Sequence, residues 1–167
     1  MLGVPLGPSS TASPFVKGKL FSRLEKTVGR LQDFQDSQSA LYLLRVSFSI
    51  VRATHFMRTT PLDLWSGEAT AFDRVIRTSV ESILGYLSEV KYTQACLTPT
   101  LGGLGLRRVV DHAGAAFSAS FRESGLTAAE QWVVPPSVLG SLGSQKEASF
   151  RIDQAWWSAP RAEVSFV

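Results

Sequence analysis

Leu41-Tyr42-Leu43-Leu44-Arg45-Val46-Ser47-Phe48-Ser49-Ile50-Val51-Arg52-Ala53-Thr54-His55-Phe56-Met57 is the most apolar stretch of the chain, and the fold turns on how it is read. Arg45 and Arg52 interrupt it, and each would cost roughly 2.5–3.5 kcal/mol at mid-bilayer. A buried core helix over about 38–58 therefore fits better than a membrane span. The segment is apolar nearly all round, with Arg45, Ser49 and Arg52 as one narrow polar stripe. Such a helix belongs in the middle of a bundle. Asp36 or Ser37 can cap its start. Thr59-Thr60-Pro61 ends it, because proline disfavours helix at the residue before it.

Working outward, Val16, Leu20, Leu24, Val28 and Leu31 share one face of a helix over 15–35. Lys19, Arg23, Lys26 and Arg30 form a second stripe beside that face. A third helix fits 66–87, with Ser66 as its cap and Phe72, Val75, Ile76, Val80, Ile83 and Leu87 buried. Asp73–Arg77 and Arg77–Glu81 are i,i+4 pairs on its wet side. A shorter helix fits 89–96. Thr98 to Leu106 is a glycine-rich connection, followed by a helix over 107–121 whose run of Ala, Gly and Ser lets a neighbour approach closely.

Residues 2–7 suit a strand end or tight turn, and 8–14 read as a loop. Beyond Gly125 the pattern weakens: a short helix over 127–133, a linker around Pro135-Pro136 and Gly140–Ser144, an amphipathic piece over 146–157, and a frayed tail after Pro160. The expectation is an all-α fold, an irregular helical bundle of three long and two or three shorter helices with a short extended N-terminal segment. Its division is 1–14 extended linker, 15–125 helical domain, 126–167 weakly patterned extension. Leu20, Leu24, Leu44, Phe48, Val51, Phe72, Ile76, Ile83 and Phe117 are expected to dominate the core.

Composition agrees with one globular domain: 167 residues, 44% hydrophobic and 19% charged, which argues against a largely disordered chain. Cys96 is the single cysteine, so no intrachain disulfide forms and an intracellular setting is expected. The N-terminus has no positive region followed by a long apolar run, so no signal peptide is read there. With His55 and His112 as the only histidines, a Cys/His zinc site is excluded on numbers, and no metal or cofactor is expected.

Enzyme signatures do not assemble. Gly102-Gly103-Leu104-Gly105 lacks the G-x-G-x-x-G spacing and any Gly-Lys-Ser/Thr end; it reads as a tight turn. Asp111 and His112 are adjacent, so their side chains diverge by about 100° on a helix, and no G-x-S-x-G elbow exists. Cys96 reads as a small buried hydrophobe. Carboxylates are scattered singly, unlike the converging sets of two-metal chemistry. No catalytic residue is assigned.

The net charge of +3 is mild, but the excess lies early, where Lys17, Lys19, Arg23, Lys26 and Arg30 face only Glu25. Several cations in a row suit backbone phosphates rather than an enclosed pocket, although a charged helix face is often merely solvated.

Several segments taken in order carry a resemblance. They are Leu2-Gly3-Val4-Pro5-Leu6-Gly7, Phe15-Val16, Asp36-Ser37-Gln38-Ser39-Ala40-Leu41-Tyr42-Leu43-Leu44-Arg45, Phe56-Met57-Arg58-Thr59-Thr60-Pro61, Phe72-Asp73, Gly102-Gly103-Leu104-Gly105-Leu106-Arg107, and Ala115-Ala116-Phe117-Ser118-Ala119-Ser120. Their order and spacing resemble the region just after the catalytic palm in reverse transcriptases of the non-LTR-retrotransposon type, and the likeness covers about residues 2–120. Leu97-Thr98-Pro99 departs from it, standing where the family tends to have Leu-Pro.

The resemblance implies a thumb-like helical region that holds template–primer duplex by its backbone. Leu2–Gly7 would be the strand leaving the palm. The palm's paired aspartates have no counterpart in these residues, so the parent activity, RNA-directed DNA polymerisation, is not expected. The chain reads as a non-catalytic fragment, a truncated copy or partial gene product. Its expected partners are duplex nucleic acid, bound weakly by Lys19, Arg23, Lys26 and Arg30 joined by Arg45 and Arg52, and a missing palm domain or other protein, with no membrane. The alternative is a helical protein–protein interaction module, docking through its apolar faces, Trp156-Trp157 and the small-residue helix 113–120.

Overall fold

Ala69, Phe72, Ile76 and Val80 recur at spacings of three and four, and all four are buried in one helix that runs through the core. The computed structural model describes residues 3, 5, 8–22, 24–123 and 150–155, and every regular element among them is helical. In chain order the helices are α1 (Ser9–Phe21), α2 (Leu24–Gly29) with a 3₁₀ turn at Arg30–Asp33, α3 (Ser37–Leu43), α4 (Ile50–Thr59), α5 (Ser66–Leu84), α6 (Glu89–Cys96) and α7 (Val109–Glu123). A further helical piece covers 150–155. The fold is all-α. No described helix is long and apolar enough to cross a membrane.

The first expected helix is two helices. It starts at Ser9, so the expected loop over 8–14 is instead helical. Pro14 lies inside α1, where it removes one backbone donor. Ser10 and Pro14 are both exposed, so water can serve the carbonyl left over. The helix then breaks at Ser22, whose ψ of 114° is extended. The apolar spacing survives the break: Val16, Leu20, Leu24, Val28 and Leu31 are all buried.

The second expected helix is also interrupted. α3 starts as read, with both Asp36 carboxylate oxygens accepting from the amides of Gln38 and Ser39. Leu44–Phe48 then forms a π turn, closed by the Ser49 amide donating to the Leu44 carbonyl at 2.8 Å. Ser49, with ψ −144°, breaks the helix before α4 begins. A π turn adds a residue to the turn and shifts the phase of everything after it. Val51 (55% exposed), beyond the turn, faces outward, as do Val46 within it and Tyr42 (64%) before it, while Leu44, Ala53, Phe56 and Met57 are buried. The segment is not the all-buried central helix that its composition suggests, and Val51 is not a core residue.

Of the other expected core members, Leu20, Leu24, Leu44, Phe72 and Ile76 are buried. Phe48 and Ile83 pack partly buried against the core, and Phe117 is intermediate. Trp65, not expected there, is 1% exposed. Its indole Nε1 donates to the Thr60 carbonyl at 3.2 Å, and its ring lies 6.3 Å from Phe56. Trp65 rather than Ser66 holds the cap position of α5.

α7 lies against α4 along its whole small-residue run, with Ala113, Ala116 and Ala119 buried. It is held at its start by a side chain far away in sequence. The Asp73 carboxylate on α5 accepts from the amides of Val109 at 2.8 Å and Val110 at 3.1 Å. These are two of the donors that a helix start leaves unpaired. Asp73 thus serves α7, while Arg77 makes ion pairs with Glu81 and Glu89. The glycine connection packs back onto α6. The amides of Leu104 and Leu106 donate to the Ala95 carbonyl, and Gly105 donates to Leu97. A side chain at Gly103 would run into the Leu97 carbonyl.

Glycine substitutions separate these environments. Gly114 lies inside α7 with open space around it. Gly114→Ala should raise stability by about 0.5–1 kcal/mol from helix propensity. Gly103→Ala should lower it by about 1–3 kcal/mol, as overpacking does. Urea unfolding of both variants checks the pair, and equal effects would contradict this packing.

Candidate nucleic-acid interface

The residues expected to grip phosphate fall into three groups. Lys19 on α1, Lys26 on α2 and Arg30 on the 3₁₀ turn are exposed. None makes an ion pair among the described residues. Lys19 and Arg30 each adjoin a buried residue in sequence (Leu20, Leu31), and Lys26 lies two residues from both Leu24 and Val28, so the buried seam fixes where the backbone presents these cations. Lys19 Nζ sits 5.9 Å from the Phe15 ring centroid. Arg23 lies outside the described residues. The break at Ser22 means that the cations do not ride one continuous helix as their spacing suggests; they lie on consecutive short helices.

Arg52 has a different role. One of its terminal guanidinium nitrogens donates to the Ser22 carbonyl at 3.0 Å, which ties α4 to the frayed end of α1. The Ser22 hydroxyl donates in turn to the Lys19 carbonyl. Arg52 therefore organises the segment that carries the cations. Arg45 lies elsewhere, in a groove that it shares with Arg107.

A second polar cluster surrounds the start of α7. Arg107 pairs with Asp153 at 2.9 Å, Arg108 with Asp111 at 2.7 Å, and His112 Nε2 lies 3.9 Å from Asp153. Asp111 and His112 have different partners, Arg108 and Asp153, and both line one small cavity. The partner of His112 comes from the piece at 150–155, which no local spacing announces.

Burial, with Arg107 and Arg108 nearby, pushes the His112 imidazole down to about 4. Its Nδ1 is buried without a hydrogen-bond partner. Burial raises the Asp153 carboxyl against the pull of Arg107. It also lifts Asp73 to about 6, although two amides favour its charged form. The buried Cys96 thiol is pushed up to about 12, so it is protonated at neutral pH, the opposite of a reactive cysteine.

The cavity lined by Cys96, Arg108, Asp111, His112 and Asp153 holds about 10 Å³. That is room for one water and none for a substrate. Among the described residues no group of three or more His, Cys, Asp or Glu could hold a metal ion. This cluster joins the 150–155 piece to α7. Two open surfaces among the described residues carry candidate cations, the α1–α2 segment and the Arg45–Arg107 groove. Sequence reading missed Arg107 as a groove residue, although it ends the glycine motif.

No protein-family model matches the chain, and neither a curated protein nor a solved structure matches it.

The His112 environment fixes a pH dependence. Its folded pKa lies below the usual value, so the unfolded chain binds the proton more tightly. Stability is fully present above about pH 6.5 and is lost as pH falls toward 4. Wild type should lose on the order of 1–2 kcal/mol more than His112→Gln between about pH 7 and 5. Parallel urea titrations of the two proteins check this; parallel pH profiles would contradict it.

Proposed function

We propose that this chain is a non-catalytic, thumb-like helical module that binds the phosphate backbone of duplex nucleic acid, in the manner of a post-palm region of a non-LTR-type reverse transcriptase. The observation that carries the reading is the set of exposed cations Lys19, Lys26 and Arg30, without ion pairs among the described residues, on a backbone seated by the buried Leu20, Leu24, Val28 and Leu31. Exposed cations of this kind meet backbone phosphates without reading sequence.

The motif residues behind the resemblance support it in a second way. Asp36 caps α3, Asp73 caps α7, and the glycine run closes α6. These three build a scaffold, which supports a gripping role. A palm domain would be supplied by another polypeptide segment.

The alternative, a protein-docking module, draws on the exposed Tyr42, Val51 and Tyr86. Its small-residue helix is not available for that purpose, because Ala113, Ala116 and Ala119 are buried. Trp156-Trp157 lies outside the described residues.

Fluorescence anisotropy with a labelled duplex tests the proposal. Affinity should fall steeply between about 50 and 200 mM salt and ignore base sequence. Replacing Lys19, Lys26 and Arg30 by Ala should weaken binding uniformly and flatten the salt slope by nearly three, at about 0.9 for each lost contact. Affinity that does not respond to salt would contradict phosphate binding.

A further inference from the structure

A groove of about 490 Å³ lies between the π-turn segment, where Val46 and Val51 face outward, and the glycine connection. Arg45 and Arg107 both line it, together with Val46, Val51 and Pro99, and no carboxylate is in the lining. Arg45 is exposed and makes no ion pair among the described residues. Gly105 has φ +75°, and a side chain there would meet Arg45 Nε at 3.2 Å. Glycine at 105 therefore both allows the turn and leaves Arg45 its place.

Arg107 is held from behind. One guanidinium nitrogen donates to Asp153, whose carboxylate is 3% exposed, while the Arg107 side chain remains 30% exposed. A buried carboxylate that fixes an arginine at a groove wall reduces the rotamer freedom lost on binding.

We propose that the Arg45–Arg107 groove is a second phosphate site, distinct from the α1–α2 cations, that seats one strand of the bound nucleic acid. Its two guanidinium groups take backbone phosphates, and Val46, Val51 and Pro99 face the sugars. This rests on the nucleic-acid reading above. The groove fits that occupant by charge: no acid lines it, Arg45 has no ion pair among the described residues, Arg107 keeps donors beyond the one on Asp153, and guanidinium matches phosphate in geometry. The apolar residues that share the lining suit the less polar parts of a strand better than a free inorganic anion. Asp153 is a positioning residue, acting through Arg107.

The test is equilibrium binding of labelled duplex and single-stranded DNA to the full chain, with circular dichroism confirming the fold of each variant. Arg45→Gln disturbs no ion pair among the described residues and should weaken binding about tenfold. Arg45→Gln combined with Arg107→Gln should weaken it further and reduce the salt slope by nearly two on duplex. Arg45→Lys and Arg107→Lys should keep the slope while losing part of the affinity. Asp153→Asn should weaken binding and leave the slope unchanged, because no cation is lost.

If the groove variants bind like wild type while the Lys19, Lys26 and Arg30 replacements do not, the second site is overturned and the broader reading stands. If the groove variants fail and the α1–α2 replacements do not, the second site stands and the grip moves to it. If wild type binds neither nucleic acid, both fall. Poly-glutamate that displaces the strand at equal charge concentration would show a dock for acidic protein and overturn the assignment.

Discussion

Asp73 reaches across the bundle to accept two backbone N–H groups at the start of α7, and much of the architecture depends on that pair of bonds. A helix start leaves donors unsatisfied, and the residues before Val109 supply no side-chain cap for them. With α7 fixed at that point, its small residues lie against α4 and its first turn presents Arg107, Arg108, Asp111 and His112 as a group. Burial raises the Asp73 carboxyl to about 6, yet at neutral pH it remains largely ionised and suited to the positive end of a helix dipole. The 150–155 piece joins the same place through Asp153.

The second constraint is the π turn at Leu44–Phe48 with the break at Ser49. One extra residue in a turn rotates every later side chain, so an apolar segment that could fill a core on all sides leaves one side open. Val51, beyond the turn, faces outward with Arg45 and Val46 in the turn itself, and these three line the groove. The Ser49 hydroxyl is buried without a partner, a local cost that marks the site of the irregularity.

Much of the helical pattern is legible in the residues themselves. Val16, Leu20, Leu24, Val28 and Leu31 mark a buried seam that survives a broken helix, because the spacing records which side faces inward and not whether the axis is continuous. The third expected helix is shorter than its spacing suggests: Gly85, at φ +84°, ends α5 at Leu84 rather than Leu87, and Ser88, which caps α6 through the Lys91 amide, is not among the expected caps. The break at Ser22 is not legible, since no proline or glycine stands between Phe21 and Leu24. The Asp73 cap and the Asp153 pair are not legible either, because their partners lie 36 and 46 residues away. The i,i+4 rule assigns Asp73 to Arg77, and tertiary contact assigns it to α7. Of the candidate cations, Lys19, Lys26 and Arg30 were legible as exposed. Arg52 was misleading, because a polar stripe on a helix does not distinguish a side chain that meets solvent from one that ties down a neighbouring carbonyl.

The central claim is that fixed cations on this scaffold meet nucleic-acid phosphates. The most direct measurement is a ¹⁵N NMR titration of the full chain with unlabelled duplex. The account predicts that perturbed amides cluster at 17–31 and around Arg45 and Arg107, with α5 and the interior of α7 unmoved. Shifts spread evenly over the molecule, or confined to the exposed faces around Tyr86 and Val90, would contradict it.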